Sequence, residues 1–70
     1  MMATNILKSK LDDHGFTQTE LSEIASISVG TINKVCNQRL TPAPKTLSRI
    51  VLSLNKLAQT NYQVNEIFDL

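Results

Sequence analysis

The amino-acid sequence predicts an all-α domain built from five short helices. Apolar residues recur at helical spacing along the chain, and the run PKTLSRIVLSLNKLA shows this period most clearly. Residues that start helices, Thr17 and Ser28, precede two of the periodic segments, while Gly15 and Pro44 mark boundaries between segments. The 70 residues, of which 41% are apolar, fit a single globular domain covering residues 1–70.

The first helix is predicted from about Thr4 to His14. Thr4 is a suitable N-cap, and Gly15 is the kind of residue that ends a helix in the left-handed conformation. One side of this helix is apolar and is expected to be buried. That side carries Ile6, Leu7 and Leu11.

The second helix begins with a capping box in the sequence FTQTEL. Thr17 can accept a hydrogen bond from the backbone N–H of Glu20, whose carboxylate reaches back to the N–H of Thr17. Phe16, just before the cap, can pack on Leu21 as a hydrophobic staple. The helix is expected to end near Ala25. Its predicted buried stripe consists of Leu21, Ile24 and Ala25.

The third helix is predicted from about Val29 to Asn37, with Ser28 as its N-cap. Its apolar face consists of Ile32, Val35 and Cys36. The opposite face consists of Gly30, Asn33, Lys34 and Asn37. Because Val29 lies at the edge of the polar face, Val29 and Gly30 form the exposed leading end of an amphipathic helix.

Pro44 suits the first turn of a fourth helix, which is predicted to run to about Gln59. Its apolar face consists of Leu47, Ile50, Val51, Leu54, Leu57 and Ala58. Leu52 points away from that face and is expected to be exposed. After the polar link Thr60-Asn61, a short fifth helix is predicted from apolar residues spaced i, i+3, i+4. These residues are Val64, Ile67 and Phe68.

The charge pattern indicates a locally basic surface. The net charge is only +1, yet no acid occurs between Ile24 and Asn65. That span carries Lys34, Arg39, Lys45, Arg49 and Lys56.

Other features of the chain argue against several classes of function. One cysteine and one histidine do not make a metal site, and Ser28 has no His–acid pair to activate it as a nucleophile. No apolar run approaches the ~18 residues of a membrane span, and the first residues lack the core of a signal peptide. We therefore expect no enzyme activity, cofactor, metal, small-molecule ligand or membrane insertion. Cys36 is expected to be a core residue.

The second and third helices, joined by a short link, have the layout of a helix-turn-helix. In this motif the first helix braces the second, whose N-terminal end faces base edges in the major groove of DNA. Val29 can touch a thymine methyl, Gly30 lets the backbone approach, and Lys34 favours guanine acceptors. Ser28 and Asn33 add hydrogen-bonding groups. The sequence therefore favours double-stranded DNA as the partner.

The run TQTELSEIASISVGTINKVCN resembles the helix-turn-helix of the phage repressor and Cro family, also called lambda-repressor-like or xenobiotic-response-element type. PKTLSRIVLSLN resembles the fourth helix of that family, and VNEIFDL resembles the fifth. The resemblance implies a compact five-helix fold with the helix-turn-helix at the second and third helices. The DNA-binding residues that it implies are Thr17, Gln18, Ser28, Val29, Gly30, Thr31, Asn33, Lys34, Asn37, Arg39 and Lys45.

The resemblance implies a particular role for each position. Gln18 matches a glutamine that binds a phosphate or supports a base contact, and a helix N-terminus suits an anion. Arg39 lies in the following loop, within reach of a phosphate, and Lys45 matches a basic residue near the minor groove. The base-reading positions are Ser28, Val29, Gly30 and Lys34. The positions at the groove edge or on the backbone are Thr31, Asn33 and Asn37.

The chain departs from the family pattern at three places: the loop containing Pro42, which precedes Lys45 and is one residue longer than in the phage members, and two places in the core motif. Many members pair a basic residue of the first helix with an acid near the end of the third, where this chain has Leu11 and Cys36. An apolar contact is expected there instead. The link between the second and third helices often holds a left-handed glycine, but here it reads Ala25-Ser26-Ile27. Either strain or a different turn is expected at this link.

The expected function is sequence-specific DNA binding by a transcriptional regulator, a repressor, which reads the major groove with helix 29–37 as a homodimer on a two-fold operator. The alternatives are a protein-binding module, such as an antitoxin or an accessory domain, and a purely structural domain. A prokaryotic or phage-encoded cytoplasmic protein is expected, either complete or the N-terminal domain of a longer chain. The candidate dimer interface consists of Leu52, Tyr62, Phe68 and Leu70.

Overall fold

The computed structural model describes residues 5–68, which form five helices and no strand. The helices are α1 (Leu7–His14), α2 (Gln18–Ala25), α3 (Val29–Cys36), α4 (Pro44–Ala58) and α5 (Val64–Ile67). One isolated antiparallel bridge pairs Asn5 with Phe68. The prediction of an all-α fold with five helices is therefore confirmed for this part of the chain.

An aliphatic core lies between the helices, with α4 packed against α2 and α5, and α2 packed against α3. Every helix contributes to this core, and Phe68 is its one fully buried aromatic residue within residues 5–68. Phe16 and Tyr62 are half-buried and pack against its edge. The core residues are Leu7, Leu11, Leu21, Ile32, Val35, Cys36, Leu47, Ile50, Val51, Leu54, Ile67 and Phe68.

The first helix begins later than predicted. Thr4, the expected N-cap, lies outside the residues that the structure describes, and α1 starts only at Leu7. Asn5 performs part of the capping, because its Oδ1 accepts a hydrogen bond from the N–H of Leu7 at 3.1 Å. Ile6 is 45% exposed, so its place in the buried stripe was wrong. The C-terminal end is as predicted, because Gly15 adopts the left-handed conformation at φ 76°.

Asn5 also connects the start of α1 to the end of α3. Its N–H donates to Oε1 of Gln38 at 3.1 Å, and Nε2 of Gln38 donates to the carbonyl of Asn5 at 2.9 Å. Nδ2 of Asn5 donates to the carbonyl of Val35 at 2.9 Å. These three bonds fix Asn5 against the end of α3, and the described part of α1 begins two residues later, at Leu7.

The capping box of α2 is confirmed. Oγ1 of Thr17 accepts from the N–H of Glu20 at 3.1 Å, and Oε1 of Glu20 accepts from the N–H of Thr17 at 3.0 Å. The predicted burial of Ile24 was wrong, because that side chain is 48% exposed. The buried residues of this short helix are Leu21, Ser22 and Ala25. At ~100° per residue, Ile24 lies nearly a third of the helix circumference away from the centre of that stripe.

The link between α2 and α3 contains a left-handed residue that is not glycine. Ser26 has φ 56° and ψ 40°, and the N–H of the next residue, Ile27, donates to the carbonyl of Ser22 at 3.1 Å. The link therefore makes the same left-handed turn that a glycine would make, but with a serine at the left-handed position. Of the two possibilities left open by the sequence, backbone strain is the one observed, and it costs about 1 kcal/mol.

Ser26→Gly should stabilise the domain by about 0.5–1 kcal/mol, because the left-handed strain is relieved while the unfolded chain gains some freedom. The free energy of unfolding is measured by urea titration followed by circular dichroism. Ser48→Gly is the matched control, because Ser48 is exposed in the interior of α4 and its replacement should destabilise by about 0.5 kcal/mol. Two changes of the same sign would contradict the strain argument.

The remaining helices follow the predicted pattern closely. Ser28 caps α3, and its Oγ accepts from the N–H of Thr31 at 3.2 Å. Pro44 occupies the first turn of α4, which ends at Ala58 before a left-handed Gln59 at φ 56°. Leu52 is 61% exposed, as its position off the apolar face predicted.

Candidate nucleic-acid interface

The third helix has one buried face and one exposed polar face, as its sequence predicted. Ile32 and Val35 have no solvent exposure, and Cys36 is 5% exposed. The exposed residues of the helix are Val29, Gly30, Asn33 and Lys34, and the exposed Asn37 follows as its C-cap. The core therefore fixes the rotation of α3 and leaves a mostly polar surface outside.

Two hydroxyl groups organise the leading end of α3. The Oγ of Ser28 donates to Oγ1 of Thr31 at 2.8 Å, in addition to capping the Thr31 N–H. Each hydroxyl is both a donor and an acceptor, so one proton serves the bond between Ser28 and Thr31. The other proton of the pair is available to an incoming acceptor at this end of α3.

A row of amide side chains runs from the start of α2 across the polar face of α3. Nδ2 of Asn33 donates to Oε1 of Gln18 at 3.1 Å, and Nδ2 of Asn37 donates to Oδ1 of Asn33 at 3.1 Å. We call Gln18, Asn33 and Asn37 the amide row. The row leaves the NH2 group of Gln18 free as a donor at the positive N-terminus of α2, where an anion is favoured. At its other end, the side-chain oxygen of Asn37 is free as an acceptor.

Cations lie at the trailing end of α3. Lys34 is exposed, and its carbonyl accepts a hydrogen bond from the N–H of Arg39 at 2.8 Å. This bond places the exposed Arg39 directly after the helix that carries Lys34. The two positive charges therefore accompany the amide row on the same part of the fold.

Two of the predicted DNA-binding residues have other surroundings. The hydroxyl of Thr17 is used within its own helix, because it also donates to Oε1 of Glu20 at 3.1 Å. Lys45 is exposed in the first turn of α4, where it lines a groove together with Ile24 and Arg49. The structure thus joins Gln18 to α3 through hydrogen bonds, whereas Lys45 belongs to a groove beside the end of α2.

Gly30 is not required by the fold. A Cβ atom added at this position would meet no atom within 4 Å, and Gly30 has no positive φ. Only a surface that approaches from outside would therefore collide with the methyl group of an alanine here.

Gly30→Ala should raise the free energy of unfolding by about 0.5–1 kcal/mol, because alanine is the better helix former. The same change should reduce or alter affinity for a specific duplex, since the added methyl separates α3 from the bases. Thermal unfolding and fluorescence anisotropy measure the two effects on the same sample. Unchanged DNA affinity would contradict close approach at Gly30.

The candidate dimer residues divide into three groups. Leu52 is exposed and Tyr62 is half-buried at the surface. Phe68 is only 2% exposed and belongs to the core, so its assignment to an interface was wrong. Leu70 lies outside the described residues.

Cys36 and Leu11 lie in the same buried cluster, in agreement with the apolar contact expected at these two positions. Burial raises the pKa of the Cys36 thiol to about 11, against a smaller lowering by Lys8. The thiol is therefore protonated at neutral pH and behaves as a small apolar group.

Sequence reasoning missed the arrangement of Arg49 and Lys56. Both line the groove that contains Lys45, along one side of α4. Their spacing from Lys45, four and eleven residues, is the signal that could have placed the three on one helical face.

Within residues 5–68, no group of three or more His, Cys, Asp or Glu side chains could hold a metal ion. In that same range, every helix is too short or too polar to cross a bilayer.

A family model described as helix-turn-helix matches residues 7–58, a range that includes α1 to α4. No curated protein matches the chain.

Proposed function

Because the chain belongs to the lambda-repressor-like helix-turn-helix family of DNA-binding regulator domains, we propose that it binds a specific double-stranded DNA sequence and represses transcription. The observation that carries the proposal is the exposed face of α3, capped by Ser28 and joined to α2 through the bond between Asn33 and Gln18. This arrangement holds a helix with free polar groups in a fixed orientation on a rigid support, as major-groove recognition requires.

The proposed complex places the N-terminal end of α3 in the major groove. Val29, which is 47% exposed, contacts a thymine methyl, and Gly30 admits the DNA closely. The hydroxyl pair of Ser28 and Thr31 donates its remaining proton to a base or a phosphate. Lys34 donates to guanine acceptors deeper in the groove.

The proposed phosphate contacts flank that helix. Gln18 offers its free NH2 group at the N-terminus of α2, where the helix dipole adds to the attraction. Arg39 offers a charge beyond the other end of α3. These contacts orient α3 but carry no sequence information of their own.

We further propose that two copies bind a two-fold operator, because one small domain buries too little DNA surface for tight specific binding. The surface beside Tyr62 is the proposed contact between copies. Asn55 fixes that surface, since its side chain bonds both the carbonyl of Tyr62 at 3.0 Å and the N–H of Tyr62 at 2.9 Å. Leu52 borders this surface. The proposed site of action is the cytoplasm of a prokaryotic cell.

Fluorescence anisotropy with labelled mixed-sequence duplex DNA, from about 50 to 200 mM salt, tests the proposal. Binding should weaken by tenfold or more over that range, because each neutralised phosphate releases counterions. Selection from random duplexes at the higher salt concentration should then yield a two-fold sequence. Absence of binding even at low salt would overturn the DNA proposal and favour a protein-binding module.

A further inference from the structure

A second exposed surface lies away from the amide row, in the groove between the end of α2 and the outer side of α4. One wall consists of Ile24, Ala25 and Ser26. The other wall is a stripe of α4 whose residues are spaced by four, three and four positions, so that they share one side of the helix. The stripe consists of Lys45, Arg49, Leu52 and Lys56.

This groove combines apolar and positively charged groups. One large apolar side chain lies on each wall of the groove. Ile24 is 48% exposed on the α2 wall, and Leu52 is 61% exposed on the α4 wall. Its three cations extend over eleven residues of α4, about 16 Å at a rise of ~1.5 Å per residue. No acidic residue occurs among the described residues that line it. About three turns of a helix would cover such a stripe.

We propose that this groove is a docking site for an acidic amphipathic helix of a partner protein. Carboxylates spaced by four and seven residues on that helix would face Lys45, Arg49 and Lys56, while apolar residues between them would cover Ile24 and Leu52. The charge pattern selects the partner, and the apolar contacts supply most of the affinity. This surface lies outside the proposed DNA contact of α3.

The observations favour this partner over the other possible occupants. DNA phosphates would be attracted by the cations but would leave Ile24 and Leu52 without an apolar contact. A two-fold dimer through the stripe would bring Arg49 and Lys56 near the same cations of the second copy, which repel them. The groove between Leu52 and Tyr62, whose lining contains no charged residue within residues 5–68, suits such a dimer better.

The probe for the test is a synthetic helical peptide of about four turns. Its glutamates have the spacing of the three cations, and leucines stand between them. The same peptide with lysine in place of glutamate is the control. Binding to the full chain is followed by ¹⁵N chemical-shift changes, which report contacts residue by residue. We expect the acidic peptide to shift the amides of Ala25 and Ser48, and the lysine peptide to shift neither.

Variants then separate this surface from the DNA surface. Arg49→Glu with Lys56→Glu should weaken peptide binding by about tenfold or more. The control variant Lys34→Glu with Arg39→Glu changes the net charge by the same amount. It should leave the peptide affinity within about twofold of that of the unchanged protein, and it should abolish DNA binding. Ile24→Ser, which leaves every charge in place, should weaken peptide binding about fivefold. Because all five side chains are exposed, circular dichroism should show folded variants.

Three results would overturn the docking proposal. The first is shifts centred on α3, and the second is an equal loss of peptide affinity in both charge-reversed variants. The third is loss of duplex binding in the Arg49→Glu, Lys56→Glu variant together with DNA-induced chemical-shift changes along α4. That result would mean that the groove binds DNA phosphates. The Lys34→Glu, Arg39→Glu variant tests the proposed function independently, so failure of one proposal is distinguishable from failure of the other.

Discussion

Phe68→Ala should lower the free energy of unfolding by about 3–5 kcal/mol. Phe68 is 2% exposed and heads the fully buried side chains of residues 5–68 in volume. Its truncation leaves a cavity in the aliphatic core, because the ring belongs to the buried cluster to which every helix contributes. Since small domains have total stabilities of about 5–15 kcal/mol, the variant should be close to unfolding at 37 °C. Urea titration at 25 °C, followed by circular dichroism, measures the loss.

Leu52→Ala is the matched control for this prediction. Leu52 is 61% exposed on α4, so its truncation should change the stability by at most about 0.5 kcal/mol. The loss at Phe68 should also be independent of protein concentration, because the residue is buried within one copy. A loss that grows on dilution would instead place Phe68 at an interface between copies, as the sequence first suggested.

Phe68 illustrates one limit of prediction from the sequence. Its spacing from Val64 predicted that Phe68 lies on the apolar face of the last helix, but α5 ends at Ile67 and Phe68 follows it in an extended conformation. Phe68 was also assigned to the candidate dimer interface, because the sequence shows which side is apolar but not what covers that side. In the fold, that side is covered by the core and by the N-terminal segment at Asn5. The covering segment is 63 residues away in the sequence, which no local pattern reveals.

The features predicted correctly are those formed between near neighbours. The capping box of Thr17 and Glu20 spans three residues, and the left-handed Gly15 depends only on the end of its own helix. Such features need one residue type at one offset, so the sequence contains all the information. The bonds between Asn5 and Gln38 join residues 33 apart and follow only from the position of the N-terminal segment beside the end of α3.

The candidate site shows the same division. The polar face of α3 followed from its period, because the buried Ile32 and Val35 determine the rotation of the helix. The bond between Asn33 and Gln18 depends on how α2 and α3 cross, which the sequence predicts only as a general motif. Ile24 was misplaced for a related reason, since in an eight-residue helix a small rotation exchanges buried and exposed positions.

Lys34→Ala should weaken specific DNA binding by about 5–150-fold, which corresponds to about 1–3 kcal/mol. The side chain is exposed on the polar face of α3, next to the amide row residue Asn33. In the proposed complex it donates to guanine, so its loss removes a contact that only the correct sequence provides. Anisotropy titrations of the selected operator and of a scrambled duplex, at equal salt, measure the two affinities.

Arg39→Ala is the matched comparison, because it removes the same charge from the exposed residue that directly follows α3. As a phosphate contact, Arg39 should contribute equally to both duplexes, and its loss should lower the salt slope by about one. The ratio of the two affinities should therefore fall in Lys34→Ala and stay constant in Arg39→Ala. If the ratio stays constant in both variants, Lys34 contacts the backbone, and sequence discrimination must come from Val29, Gly30 and Thr31 at the leading end of the helix.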